Sequence, residues 1–281
     1  MLNALTIDLE DYYHVTAFDH IVDRRNWDKM ETRIEGNCEK ILSILNEHKM
    51  HATFFVLGWI AERYPILIRT IFNEGHEISS HGFNHRMVYH QSKDAFREDI
   101  MKTQSILEDI TGIKIKGYRA PTFSINNKSL WALNILCEQG YKYDSSIFPI
   151  KHNRYGIPSA KRFPHTIELN SKSNITEFPP STISLCGSNI PIAGGGYLRL
   201  FPVKLIEWGM RKINYTEKQP AIIYLHPWEL DPEQPRIPAS WPSRFRHYIN
   251  LHSTEKKLRH LLNTFRFTTL RKLGSQLFTE L

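Results

Sequence analysis

Short apolar runs alternate with amphipathic stretches along most of this chain. "ALTIDLE" (4–10) and "ATFFVLG" (52–58) read as buried strands, the second ended by Gly58. Between them, residues 34–48 place Ile34, Cys38, Ile41, Leu42 and Leu45 on one helical face. A helix is predicted over 62–74 and a short strand just before His81. A long helix then starts at Ser92 as N-cap and stops at Gly112. "IKGYRAP" predicts a strand running into a loop, residues 126–140 a helix capped by Asn126 or Asn127, and "YKYDSS" a further strand.

From about residue 149 to 200 the pattern loosens into Pro, Gly and Asn. A helix near 203–213 and the strand "AIIYLH" (221–226) restore it. A Pro-rich loop, "PWELDPEQPRIPASWP", precedes a last helix at about 254–263. Repeated β–α alternation implies parallel strands joined by helical crossovers. With no internal repeat and no linker, the expectation is an α/β fold, one irregular (β/α) barrel of about seven strands. Its core would span 4–226 and a C-terminal extension 227–281, within a single domain 1–281.

Composition changes this picture little. The 281 residues are 41% hydrophobic and 23% charged, as in ordinary globular proteins. The formal charge of +7 comes from scattered residues, without the basic–aromatic motifs of nucleic-acid binders, so nucleic acid is not an expected partner. Cys38, Cys137 and Cys186 are odd in number and far apart; the first two sit in apolar helical patterns and read as buried free thiols of a reducing compartment. No apolar run approaches a membrane span. "MLNALTIDLEDYYH" has no basic region followed by an apolar run, so no secretory signal is expected, and the chain reads as cytoplasmic.

In an α/β barrel the chemistry gathers at the C-terminal ends of the strands. Those ends here carry Asp8, Glu10 and Asp11, then His81 and His85, then Arg119 with Pro121, then Asp144, and finally His226. The ordered motifs "TIDLED", "HGFNH", "YRAP", "YDSS" and "YLHP" resemble those of the NodB-homology polysaccharide deacetylases, over nearly the whole chain. "DLEDYYHV", "GYRAPTFSI", "YDSSIFP", "AGGGYLRL", "YLHPWELDP" and "SRFRHYINL" look closest to the branch found with bacterial exopolysaccharide and exosortase loci. One departure stands out: Leu9 follows Asp8, where the family has two adjacent Asp.

The resemblance implies a metal-dependent hydrolase that removes N-acetyl groups from an amino-sugar polysaccharide or its lipid-linked precursor. His81, His85 and either Glu10 or Asp11 would hold a divalent metal, zinc above cobalt or nickel. Asp8 would be the general base, Arg119 would keep it ionised, His226 would protonate the departing amine, and Asp144 would orient His226. Tyr12, Pro121, Phe123, Tyr197 and Trp228 flank these motifs and are candidates to contact the sugar. Glu177 and the glycines 194–196 are expected to shape the pocket, while His14, His76 and His90 read as bystanders. An N-acetylated glycan is the expected partner, with peripheral contact to the inner membrane or a polysaccharide-synthesis complex. A cyclic-amide hydrolase on the same fold and a carbohydrate-binding protein without catalysis are the alternatives.

Overall fold

The computed structural model describes residues 1–171 and 173–278. Strand β1 (Leu2–Leu9) is second in the sheet order, buried at almost every position because strands pair with it on both edges. In chain order follow β2 (Thr53–Val56), β3 (Glu77–Ser80), β4 (Gly117–Tyr118), β5 (Tyr143–Asp144), β6 (His165–Asn170), β7 (Ser173–Glu177), β8 (Thr182–Leu185), β9 (Ser188–Pro191), β10 (Ile222–Leu225) and β11 (Arg266–Thr268). The main sheet runs β10-β1-β2-β3-β4-β5-β7-β6, parallel throughout except for the β6–β7 hairpin. β11 adds to the start of β1, and β8–β9 form a separate hairpin.

The α-helices are α1 (Ile34–Glu47), α2 (Gly58–Arg63), α3 (Pro65–Asn73), α4 (Lys93–Thr111), α5 (Trp131–Glu138), α6 (Gly196–Leu200), α7 (Val203–Arg211), α8 (Trp241–Tyr248), α9 (Leu251–Thr264) and α10 (Leu270–Leu277). The predicted face of α1 is buried as expected. Ser92 caps α4 by accepting from the Ala95 N–H, and Gly112 ends it in the left-handed region. The single helix expected over 62–74 is two, because Pro65 disfavours helical geometry at Tyr64 (φ −124°, ψ 53°) and then opens α3. The loose stretch 149–200 contains four strands and α6, and the end of the chain adds α8, β11 and α10 to the one helix expected there.

The seven parallel strands β1–β5, β7 and β10 curl towards closure. On the free edge of β10, the Ile222 carbonyl accepts from the Ser181 N–H, four residues past β7, and the Tyr224 N–H donates to Ala193. Gly194 is required there: its φ is +139°, and a Cβ would lie 1.7 Å from the Tyr224 carbonyl oxygen. Inside the curl, Ala4, Phe55, Tyr143, Phe178 and Ile222 pack with Leu270 and Leu273 of α10, which closes the floor. The other end stays open. No helix among the described residues is long and apolar enough to cross a membrane.

Asp11 leaves the strand end by a bend and turns towards α1. Its carboxylate accepts from the backbone N–H of Tyr12 (2.9 Å) and Arg33 (2.7 Å) and from the Thr32 hydroxyl (3.1 Å). These bonds satisfy donors at the entrance of α1. Asp11→Ala should therefore lower unfolding free energy by about 1–2 kcal/mol in denaturant titration while bound metal per chain stays unchanged; loss of metal without loss of stability would contradict this assignment.

Candidate functional site

The strand ends surround a cleft of about 220 Å³ whose lining includes Asp8, Glu10, His81, His85, Phe123, Tyr155, Tyr224, His226 and Trp228. Asp8 and Glu10 project into it from one end of β1, two residues apart and so on the same face of the strand. Glu10, His81 and His85 each bring one donor atom within 4.8 Å of the others, an arrangement able to hold a metal ion.

Each of the three is set by its surroundings. The His81 Nδ1 lies 2.8 Å from the Arg119 carbonyl oxygen. A carbonyl only accepts, so Nδ1 carries the proton and Nε2 keeps its lone pair for the cluster. Burial pushes the His81 pKa down to about 4, leaving the ring neutral. His85 has φ +49°, and Arg24 donates to the carbonyls of Asn84 and His85, pinning that strained turn. Burial would raise the Glu10 carboxyl, but His85 and His226 outweigh it and hold the pKa well below the usual range. Glu10 Oε2 lies 3.0 Å from His85 Nε2, and His85 Nδ1 is buried without a hydrogen-bond partner among the described residues. Two imidazoles, one of them neutral with Nε2 free, and a carboxylate held below the usual pKa range make a donor set that suits a divalent cation.

Beside the cluster stand two further pairs. The Arg119 guanidinium donates to Asp8 Oδ1 (2.7 Å), to the Thr6 hydroxyl (2.7 Å) and to the hydroxyl and carbonyl of Ser145, and packs over Phe55. His226 Nε2 lies 3.1 Å from Glu10 Oε1 and 3.8 Å from Asp8 Oδ2, while its Nδ1 meets Glu229 Oε1 at 3.1 Å. Burial alone would lower the His226 pKa; the charges of Glu10, Glu229 and Asp8 override it and raise the value to about 9.

Of the residues singled out in the sequence, Asp8, Glu10, His81, His85, Arg119 and His226 come together. Asp11 does not: its carboxylate belongs to α1, which leaves Glu10 as the carboxylate of the cluster. Asp144 does not orient His226 either. It accepts from the Ser146 hydroxyl (2.5 Å), and that hydroxyl in turn accepts from the Ala120 N–H (2.7 Å). Burial and the neighbouring Asp144 charge push Glu177 well above the usual carboxyl range, so this buried pair shares a proton. The "YDSS" turn thus acts on Arg119 and the loop after it, and Glu177 supports that turn rather than the cleft. Tyr12 and Pro121 are buried away from the cleft lining; Phe123 and Trp228 line it, and Tyr197 lines an adjoining chamber. His14 is a core residue packed 4.2 Å from Trp27, and His76 accepts from the Ala52 N–H.

Glu229 was missed, although His226-Pro-Trp-Glu229 places it one turn beyond the strand end, within reach of the imidazole. Tyr155 and Arg154, from the stretch without periodicity, and Arg199, Arg246 and His247 also went unseen. Trp228 lies stacked between His226 and His247 (interplanar angles 21° and 14°).

Residues 18–143 match the family model for polysaccharide deacetylases, and residues 145–274 match a domain of unknown function, DUF3473. A peptidoglycan-N-acetylglucosamine deacetylase of Bacillus cereus is 39% identical over 94 residues, 33% of this chain and 34% of that protein. A peptidoglycan-N-acetylmuramic acid deacetylase of Bacillus subtilis is 35% identical over 93 residues, 33% of this chain and 20% of that protein. The chain thus matches about a third of the first relative's length and less of the second's. A structure described as a polysaccharide deacetylase from Mycobacterium smegmatis shares the fold over 98% of this chain and 89% of its own, with TM-score 0.65 and 18% identity. An allantoinase structure does so over 99% and 90%, with TM-score 0.64 and 14% identity. The similarity to polysaccharide deacetylases thus covers residues 18–143, a little under half of the chain.

Proposed function

We propose that the chain is a metal-dependent hydrolase that removes N-acetyl groups from an amino-sugar glycan. The convergence of the Glu10–His81–His85 cluster, the Asp8–Arg119 pair and the His226–Glu229 pair on one open cleft carries this reading. Glu10, His81 and His85 would hold the cation, with zinc the best match to two nitrogens and one oxygen. When bound there, such a cation supplies Lewis acidity to an amide carbonyl and makes water easier to deprotonate.

The chain's own side chains do the rest. Asp8, held by the Arg119 guanidinium at 2.7 Å, takes the proton from the attacking water. His226, on the other side of Glu10 and steered through Nδ1 by Glu229, gives a proton to the nitrogen as the C–N bond breaks. Phe123 lines the cleft beside the reacting amide and is a candidate to contact the sugar, while Trp228 backs the His226 ring. The curated relatives act on peptidoglycan by name; here an extracellular polysaccharide or its lipid-linked precursor, made by an exopolysaccharide locus, is the proposed context, and DUF3473 is compatible with it. A non-catalytic carbohydrate-binding role would need neither the metal cluster nor the proton-transfer pair.

Acetate release from N-acetylated oligosaccharides should stop on treatment with a chelator and return with added zinc. His81→Ala and His85→Ala should each lose bound metal by elemental analysis; full turnover after chelation would refute the cluster's role. Asp8→Asn should retain metal and slow turnover by about 10²- to 10⁴-fold, whereas loss of metal would make Asp8 a ligand. Glu229→Gln should lower kcat by about 10- to 100-fold with KM and metal content preserved, and Glu229→Asp should recover part of the rate. A change confined to KM would remove Glu229 from the proton-transfer step.

A further inference from the structure

Past Tyr155 and Tyr224 the cleft opens into an outer chamber of about 480 Å³. The two spaces share His152, Arg154, Tyr155, Arg199, Tyr224 and Arg246, so one molecule can occupy both. Their electrostatics differ. The inner cleft carries Asp8 and Glu10, whereas among the described residues no carboxylate lines the outer chamber. Arg199 is already engaged, by Glu229 (3.3 Å) and by the carbonyls of Arg246 and His247 (2.8 and 2.6 Å).

Arg154 and Arg246 are not engaged in this way. Neither side chain has an ion-pair or hydrogen-bond partner among the described residues, and both line the passage between the spaces. They arrive from distant parts of the chain, Arg154 from the loop after β5 and Arg246 from α8, yet the charges of both act on His152 and on Tyr155. Arg154 is half-buried and Arg246 exposed, and both line the passage beside His152 and Tyr155. An oxyanion seated there is attracted by both charges and can accept charge-assisted, planar hydrogen bonds from a guanidinium. Around them, Tyr155 lies flat on His152 (22°, 3.9 Å) and its hydroxyl faces that of Tyr197 (3.4 Å), giving ring faces suited to a sugar.

We propose that this outer chamber is a subsite for a negatively charged group on the glycan, a carboxylate or a phosphate, carried beside the N-acetylated sugar that reacts. The inference rests on the deacetylase reading and narrows it: the substrate is an anionic glycan, and the arginine pair selects it over a neutral polymer of N-acetylglucosamine. The excess of cationic residues, +7 over the chain, adds long-range attraction for such a substrate.

The test compares anionic with neutral probes of equal length. For a carboxylate, a hyaluronan hexasaccharide is set against chitohexaose; for a phosphate, N-acetylglucosamine 1-phosphate is set against the methyl glycoside. The full chain should favour at least one anionic probe over its neutral match by about tenfold or more in kcat/KM, and the preferred pair identifies the group. Arg154→Gln with Arg246→Gln should collapse that ratio, and raised salt should erode it in the parent chain more than in the variant. No preference in the parent, or a ratio unmoved by the double substitution, would overturn the subsite. Calorimetric binding of the same probes to the full chain carrying His226→Ala keeps the two readings apart. Preferential anion binding that depends on the arginines, without acetate release from any probe by the parent chain, would retain the subsite and defeat the deacetylase reading.

Discussion

Arg119 places a full positive charge where no solvent reaches, and its bonds tie together three strand ends. Asp8 and Thr6 from β1 receive one side of its guanidinium, Ser145 after β5 receives the other, and its backbone carbonyl fixes the His81 ring beyond β3. An isolated guanidinium in such a place would cost several kcal/mol. The Asp8 carboxylate, 2.7 Å away, offsets that cost, so the Arg119–Asp8 pair matters to folding as well as to the proposed chemistry. The residue that pairs with the proposed base also sets the tautomer of a proposed metal ligand.

The acids around the cleft are divided by their partners. Asp8 faces a guanidinium, Glu10 faces two imidazoles, and Glu229 faces both His226 and Arg199. The Asp144–Glu177 pair faces only itself and a serine turn, and holds a proton. Burial is common to all of these carboxyls, so it cannot tell them apart; the nearest cation does. The Asp of "YDSS" instead bonds within its own turn, accepting from the Ser146 hydroxyl, in spite of its position in an ordered motif.

The sequence was most informative where chemistry and periodicity coincide. Asp8, His81, His85, Arg119 and His226 sit at the ends of strands that apolar runs announce, and α1 and α4 are bounded by a clear face and clear caps. Between Glu10 and Asp11 the residues alone could not choose, because the choice depends on a bend after β1 that sends Asp11 to the Arg33 N–H. The segment 149–200 was opaque for a different reason. Its strands are short and partly exposed, lack a continuous apolar face, and are held by hydrogen bonds to remote edges such as that of β10. The residues missed there, Tyr155 and Arg154 among them, depend on those non-local bonds for their place in the cleft.

That dependence joins the two matched regions of the chain. His81, His85 and Arg119 lie within 18–143, but His226, Glu229 and the outer arginines lie within 145–274, and Asp8 and Glu10 precede both. β1 is paired by β2 on one edge and by β10 on the other, with β11 extending the sheet at its start, so the second region supplies neighbours that this strand needs in order to be buried. The floor of the curl is closed by α10, near the end of the chain. A cleft with Asp8, Glu10 and the paired histidines on one side and His226 and the outer arginines on the other therefore follows from the order of the sheet: the step that seats β10 beside β1 is the step that brings His226 to Glu10.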